Sequence, residues 1–314
     1  MARYRASAAR YRRNAERSPS FACGGARKPA VDVCTDRPAK GLSVEGEVVN
    51  PAPGISGFLI QVYGEQREAL MEYAIERGHG VDISEFITVG VLDDPVGCGE
   101  LVRWYGERLP EVRGPVVLHG ALWSMAPSAR DPKVRAATKE RMTQCLEIAE
   151  ELGLSRVVFH LDFNALAHDP AYAARWAERQ GAFWRELLAG RKLAVFLENV
   201  WEPRPEVVRM AVEAVGLEAV GACLDVAHTH LNSQLRPSQW VDGLAMHLRC
   251  LHVSDNDRSR SQHLPPGQGT IDWVDLLRAL VRHGLSLPTV IEVGGVEGAR
   301  ATEEYLSGLE IGRG

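Results

Sequence analysis

No stretch of this sequence approaches the roughly 20 consecutive apolar residues that a membrane-crossing helix needs. The longest apolar runs, such as Pro115–Leu118 and Leu193–Leu197, are far shorter, so no transmembrane segment and no membrane partner is expected. No G-x-G-x-x-G follows the first strand-like run, which leaves a dinucleotide-binding reading without its phosphate-cradling turn. The six cysteines (Cys23, Cys34, Cys98, Cys145, Cys223 and Cys250) include no CxxC pair and no dense framework. They read as buried or idle thiols in a reducing compartment, and a cytoplasmic location is expected. Positive charge is scarce over most of the chain. Residues 1–40 hold ten Lys/Arg and three acids, a local balance of +7, and the remaining 274 residues carry 26 bases against 38 acids, a balance of −12. An acidic body repels polyanions, which weighs against nucleic acid as the main partner.

What is present is ordinary globular material: 314 residues, 45% apolar and 25% charged, which excludes disordered, collagenous and coiled-coil chains. Residues 1–50 lack sustained periodicity, and they read as a basic, unstructured extension. From Gly57 onward, short apolar runs alternate with segments of helical period. Eight strands are expected, at Phe58–Tyr63, Val81–Phe86, Pro115–Leu122, Arg156–Leu161, Leu193–Val200, Val220–Val226, Arg249–Val253 and Thr289–Val293. Near-continuous apolar runs suit parallel strands buried on both faces. Helices are expected at Lys133–Leu152, Ala171–Leu188, Pro205–Val215, Trp273–His283 and Ala299–Leu309; Gly153 caps the first, and Pro205 suits a first helical turn. Eight strand-then-helix units over residues 51–314 predict an α/β fold, a single (β/α)8 TIM barrel. A doubly wound open sheet is the structural alternative.

Active sites of such barrels lie at the C-terminal strand ends. Strand two ends near Glu85, a candidate to close the ring or only to hydrogen-bond within it, and strands three to eight end in His119, His160, Glu198, Asp225 with His228, His252 and Glu292. One such residue has a dull explanation, as a solvated or hydrogen-bonded strand end. Six in succession on one ring do not, because clustered carboxylates repel unless a cation sits among them. Carboxylate and imidazole together suit Mn, Zn, Fe or Co, and one to three divalent ions are expected. His230 reads as a supporting or solvated residue. Trp123, Trp201 and Trp240 are candidates to wall a ligand or simply to pack.

From about Gly57 to Leu309 the sequence resembles the xylose-isomerase-like barrels, which hold sugar phosphate isomerases/epimerases and the endonuclease-IV-type AP endonucleases. The motifs that carry the resemblance are Val117-Leu118-His119-Gly120, Phe159-His160, Leu197-Glu198-Asn199, Leu224-Asp225-Val226-Ala227-His228, Leu251-His252-Val253-Ser254-Asp255-Asn256, His263-Leu264-Pro265-Pro266-Gly267-Gln268-Gly269 and Ile291-Glu292. In the epimerase branch the resemblance implies one metal on Glu198, Asp225, His252 and Glu292. It further implies proton transfer between Glu198 and Glu292 through an enediolate, with substrate contacts from His228 and Arg258. In the endonuclease branch it implies metal ligands at His119, His160, Glu198, Asp225, His228, His252, His263 and Glu292. The ninth ligand of that branch, an Asp two residues before His263, is Ser261 here. Asp257 or Asp255 is a candidate substitute for it, though neither is in register. The expected function is a divalent-metal-dependent sugar (phosphate) isomerase/epimerase with a small sugar-like substrate. The alternatives are a multi-metal AP endonuclease or phosphodiesterase, a di-iron oxidative peptide-modifying enzyme, and a non-catalytic barrel. Homo-oligomerisation is left open.

Overall fold

The structure is a computed structural model that describes residues 51–311 except 168 and 170. The expected basic extension over residues 1–50 falls outside the described residues, as do Cys23, Cys34 and His168.

Eight parallel strands close on themselves in sequence order: β1 (Ile55–Val62), β2 (Gly80–Ile83), β3 (Val116–His119), β4 (Arg156–His160), β5 (Ala194–Glu198), β6 (Val220–Asp225), β7 (Leu248–Val253) and β8 (Leu287–Ile291). β1 pairs with β8, which closes the barrel and leaves no open edge. The open-sheet alternative is thereby excluded. Except for β7, the strands end earlier than expected. β2 stops at Ile83, and Glu85 enters a short 3-10 turn, Glu85–Ile87.

The outer helices among the described residues are α1 (Arg67–Arg77), α2 (Val89–Leu92), α3 (Pro95–Arg108), α4 (Pro132–Glu151), α5 (Tyr172–Leu187), α6 (Pro205–Val215), α7 (Val226–Asn232), α8 (Pro237–Leu244), α9 (Trp273–Arg282) and α10 (Gly295–Ser307). Their starts are written locally. Asp131 accepts from the Lys133 amide at 2.7 Å with Pro132 at the first turn, and Asp272 accepts from the Asp275 amide at 2.9 Å. α6 matches its expected span, while α10 begins four residues before the expected Ala299. The short α7 and α8, between β6 and β7, have too few turns to give a readable period.

Side chains alternate along a strand, so every second residue faces the barrel interior. One interior layer is apolar: Leu59, Val117, Val158, Phe196, Cys223, Cys250 and Val290, all buried. Two residues further along the same strands come Gln61, His119, His160, Glu198, Asp225, His252 and Glu292, and β2 contributes Asp82. The barrel thus changes from a dry core to a ring of polar groups within one repeat of the pleat. A register shift between Ala222 and Cys223 helps align that ring. β7 carries one extra residue there, so Asp225 lies opposite His252 instead of Leu251.

Candidate metal centre

Each ring residue is anchored by its strand and by a short support after it. Gly120 follows His119 because a side chain there would fall 2.0 Å from the Phe159 ring. Asn199 follows Glu198 and clamps the next strand, donating to the Asp225 carbonyl at 3.0 Å and accepting from the Asp225 amide at 3.0 Å. Asp225 ends β6 and caps α7, with Oδ1 accepting from the His228 amide at 2.6 Å. Asn256 ties the loop after β7 to α7 through the Ala227 carbonyl at 2.9 Å.

Glu198 sits at the centre of the arrangement, fully buried. His119 Nε2 lies 3.2 Å from its Oε2, His252 Nδ1 3.3 Å from its Oε2, and His160 Nε2 3.5 Å from its Oε1. Glu292 Oε1 lies 2.8 Å from His252 Nδ1 and accepts from Gln61 Nε2 at 3.3 Å. His119 Nδ1 faces the Gly120 carbonyl at 3.1 Å, so its proton belongs there and the Nε2 lone pair is turned toward Glu198. Two acceptors aimed at each other call for a proton or a cation between them.

Two groups of ligand atoms, each lying within 4.8 Å of one another, fit a cation: Glu198 with Asp225, His252 and Glu292, and Glu198 with His119 and His160. A further grouping of His119, His252 and Glu292 overlaps both. Glu198 Oε1, Asp225 Oδ2 and both His252 nitrogens are buried without a hydrogen-bond partner. Burying such atoms unpaired is costly, and a divalent ion in the ring would satisfy the two carboxylate oxygens and one of the His252 nitrogens together. The oxygen and nitrogen donor set suits Mn, Co, Zn or Fe.

The electrostatics follow the same crowding. Burial works to raise the Glu198 pKa, but His252 and His160 outweigh it and hold the carboxyl well below its ordinary range. Glu292 is likewise drawn down to about 2, its burial overcome by His252. Asp225 moves the other way, to about 6, because burial dominates over the nearby His228 and the like charges of Glu292 and Glu198 add to it. Burial lowers the pKa of His119, and the Glu198 carboxylate more than reverses this, to about 9.

The other expected site residues lie around this ring. His228 is half-buried at the start of α7, with Nδ1 3.0 Å from the Asn199 carbonyl and 3.4 Å from Asp225 Oδ2. His263 lies on the loop after β7, with Nδ1 3.1 Å from the Glu292 carbonyl. Among the described residues, neither joins a group of three or more ligand atoms within 4.8 Å. Arg258 is exposed on the same loop, its amide donating to Asn256 Oδ1 at 3.0 Å. His230 is buried against Thr270 Oγ1 at 2.9 Å. Trp123 and Trp201 are exposed on the loops after β3 and β5, whereas Trp240 is core.

Two readings change, and a β2 residue joins the ring. Glu85 does not close the ring: it pairs with Arg67 at 2.7 Å and accepts from the Gly64 amide, which staples the loop after β1. Asp82 occupies the β2 position instead, fully buried, with Oδ2 accepting from Ser84 at 2.6 Å and Oδ1 unpartnered. Asp255 is not a spare ligand. It accepts from the amides of Asn256, Gly267 and Ile271 and from Trp273 Nε1, pinning the loop that carries Arg258 and His263. Gly269 is required beside it, because a side chain there would fall 2.2 Å from Asp255 Oδ1. Counting the two-residue alternation forward from Leu59 and Gly80 finds Gln61 and Asp82; reading only the ends of apolar runs does not.

The family model for xylose isomerase-like TIM barrels matches residues 78–311. The chain belongs to this family. Among curated proteins, an uncharacterized protein of Methanocaldococcus jannaschii is 23% identical over 203 residues, 61% of this chain and 68% of that protein. Among solved structures, a Thermus thermophilus protein soaked with zinc chloride is 26% identical with a TM-score of 0.63, covering 80% of this chain and 96% of that one. A D-tagatose 3-epimerase-like protein is 19% identical with a TM-score of 0.66, covering 80% and 95%. Family membership accords with the closed barrel. Among the described residues, no helix is long and apolar enough to cross a membrane.

Proposed function

We propose that the protein is a divalent-metal-dependent isomerase or epimerase acting on a small sugar or a related hydroxy-carbonyl compound. The observation that carries this reading is the placement of two ionised carboxylates, Glu198 and Glu292, 3.3 and 2.8 Å from the same His252 nitrogen, in a buried ring whose unpartnered atoms suit a cation. Glu198, Asp225, His252 and Glu292 would hold the ion. When bound, a divalent ion polarises adjacent carbonyl and hydroxyl oxygens and makes the C–H beside the carbonyl acidic.

The chain's own groups supply the proton chemistry. One glutamate takes the proton from the carbon beside the carbonyl, and the other, on the opposite side of the substrate, delivers one. Gln61 fixes the Glu292 carboxylate through its 3.3 Å hydrogen bond. His228, in the first turn of α7, and Arg258, on the loop after β7, would contact substrate oxygens. The sugar epimerases among the similar folds support the substrate class.

The test is a panel of ketoses and their phosphates in deuterium oxide, with chelator-stripped protein reloaded with manganese or cobalt. Product carrying solvent deuterium beside the carbonyl is expected. Glu292→Gln should retain metal and lose roughly 10²–10⁴-fold in turnover. Near-normal turnover in that variant would refute the two-glutamate mechanism.

A second reading, a multi-metal phosphoester hydrolase, is favoured by the grouping of His119 and His160 on Glu198. Ser261, where that branch has a ligand, and the acidic body weigh against it. Abasic duplex DNA should remain intact, and efficient nicking would reverse the ranking.

A further inference from the structure

Directly beneath the ring, two thiols face each other in the apolar interior. Cys223 and Cys250 are register partners on β6 and β7, brought opposite by the extra residue of β7, and both are fully buried. Both are free thiols. Cys250 Sγ has a long 3.7 Å contact to the Leu251 carbonyl. Their sulfurs lie within 4.8 Å of each other and of a ring nitrogen of His252. His252 Nδ1 is turned to Glu292 and Glu198, and Nε2 is buried with no hydrogen-bond partner. Nε2 is therefore the nitrogen left for the sulfurs.

We propose that Cys223, Cys250 and His252 Nε2 form a second metal site, selective for thiophilic divalent ions of the zinc and cadmium kind. Bonds of about 2.3 Å to each sulfur in a three-ligand site hold the sulfurs about 4 Å apart, which this cluster accommodates. Binding removes one proton from each thiol, and two thiolates neutralise a divalent ion. Neutrality matters here, because the surrounding Leu59, Val117, Val158, Phe196 and Val290 offer no counter-charge. The oxygen-rich ring above suits harder ions, so the two centres differ in preference.

The two centres also share a residue. A neutral imidazole has one lone pair. With Nε2 on the soft ion, the proton stays on Nδ1 against the Glu292 carboxylate, 2.8 Å away. His252 then no longer serves the ring. This last consequence rests on the metal reading of the ring; the dithiol site does not.

The experiment titrates cadmium into reduced, chelator-stripped full-length protein. An ultraviolet sulfur-to-cadmium charge-transfer band should saturate at one equivalent, with two protons released. The ring holds no sulfur, so its filling is silent in this band, and failure of the ring reading leaves the result untouched. Cys223→Ser and Cys250→Ser should each abolish the band, and Cys98→Ser should keep it. If either serine variant fails to fold, cadmium NMR of the wild type separates two-sulfur coordination from sulfur-free coordination. Absence of the band, its survival in both serine variants, or a sulfur-free resonance overturns the site. If His252 is shared, wild type takes its second cadmium at least about 10-fold more weakly than Cys250→Ser takes its first. Equal affinities overturn the sharing.

Discussion

Two clusters of buried charge in this barrel are built on opposite plans. At Glu303, on α10, the protein supplies every partner. The carboxylate accepts from Tyr73 at 2.7 Å, from Arg77 at 2.5 Å, and meets His79 Nε2 at 3.0 Å. At the barrel mouth, Asp82, Glu198, Asp225 and Glu292 crowd one ring and leave several buried atoms unpartnered. The first cluster is finished by folding, and it joins α1, α10 and the turn before β2. The second leaves buried atoms that an ion or a substrate would satisfy. Buried charge without protein partners marks a place built for an ion or a substrate.

Substitutions should separate the two plans. The largest expected effect is Glu198→Ala, which removes the carboxylate common to both ligand groups and should cut manganese affinity at least 100-fold by calorimetric titration. Glu303→Gln should leave that affinity unchanged and instead destabilise the fold. Burial raises the Glu303 pKa, but its His79, Arg77 and Tyr73 partners win and take it from 4.5 to about 2. A carboxyl depressed by that much contributes roughly 3 kcal/mol of stability. Because the folded pKa is the lower one, this contribution is complete above about pH 4.5 and disappears as the pH falls toward 2. Denaturant unfolding across pH 2–7 should show that loss in the wild type and not in Glu303→Gln. If Glu303→Gln is as stable as wild type at pH 7, the cluster is not the staple described. Next in size, saturating the ring with metal at 100 times its Kd should raise stability by about 2.7 kcal/mol, and Glu198→Ala should lose this gain. The smallest effect belongs to Asp82→Asn. It removes a buried carboxylate whose pKa is pushed up by burial, and should slightly raise the thermal unfolding temperature of the metal-free protein. Destabilisation there would show that Asp82 is a satisfied structural acid.

The sequence reaches the fold because parallel strands buried on both faces read as apolar runs, and eight of them alternate with helical periods. It reaches six ring positions for the same reason: His119, His160, Glu198, Asp225, His252 and Glu292 interrupt or end those runs. Gln61 and Asp82 escape because β1 and β2 place them inside the run, where only the alternation of faces reveals them. Glu85 looks like a strand end only because Phe86 extends the apolar pattern past the true end of β2 at Ile83. Asp255 reads as a spare ligand until its four donors are seen, since they come from residues up to 18 positions away. The cysteine pair is invisible in sequence because the 26 residues between Cys223 and Cys250 give no sign that a register shift sets them face to face.

The central claim is that the ring needs a cation to be complete. Calorimetric titration of manganese into chelator-stripped wild type, Glu198→Ala and Glu303→Gln tests it most directly. Saturable binding of at least one ion per chain is predicted in the wild type and in Glu303→Gln, and none in Glu198→Ala. Absence of binding in the wild type, or equal binding in Glu198→Ala, would contradict it.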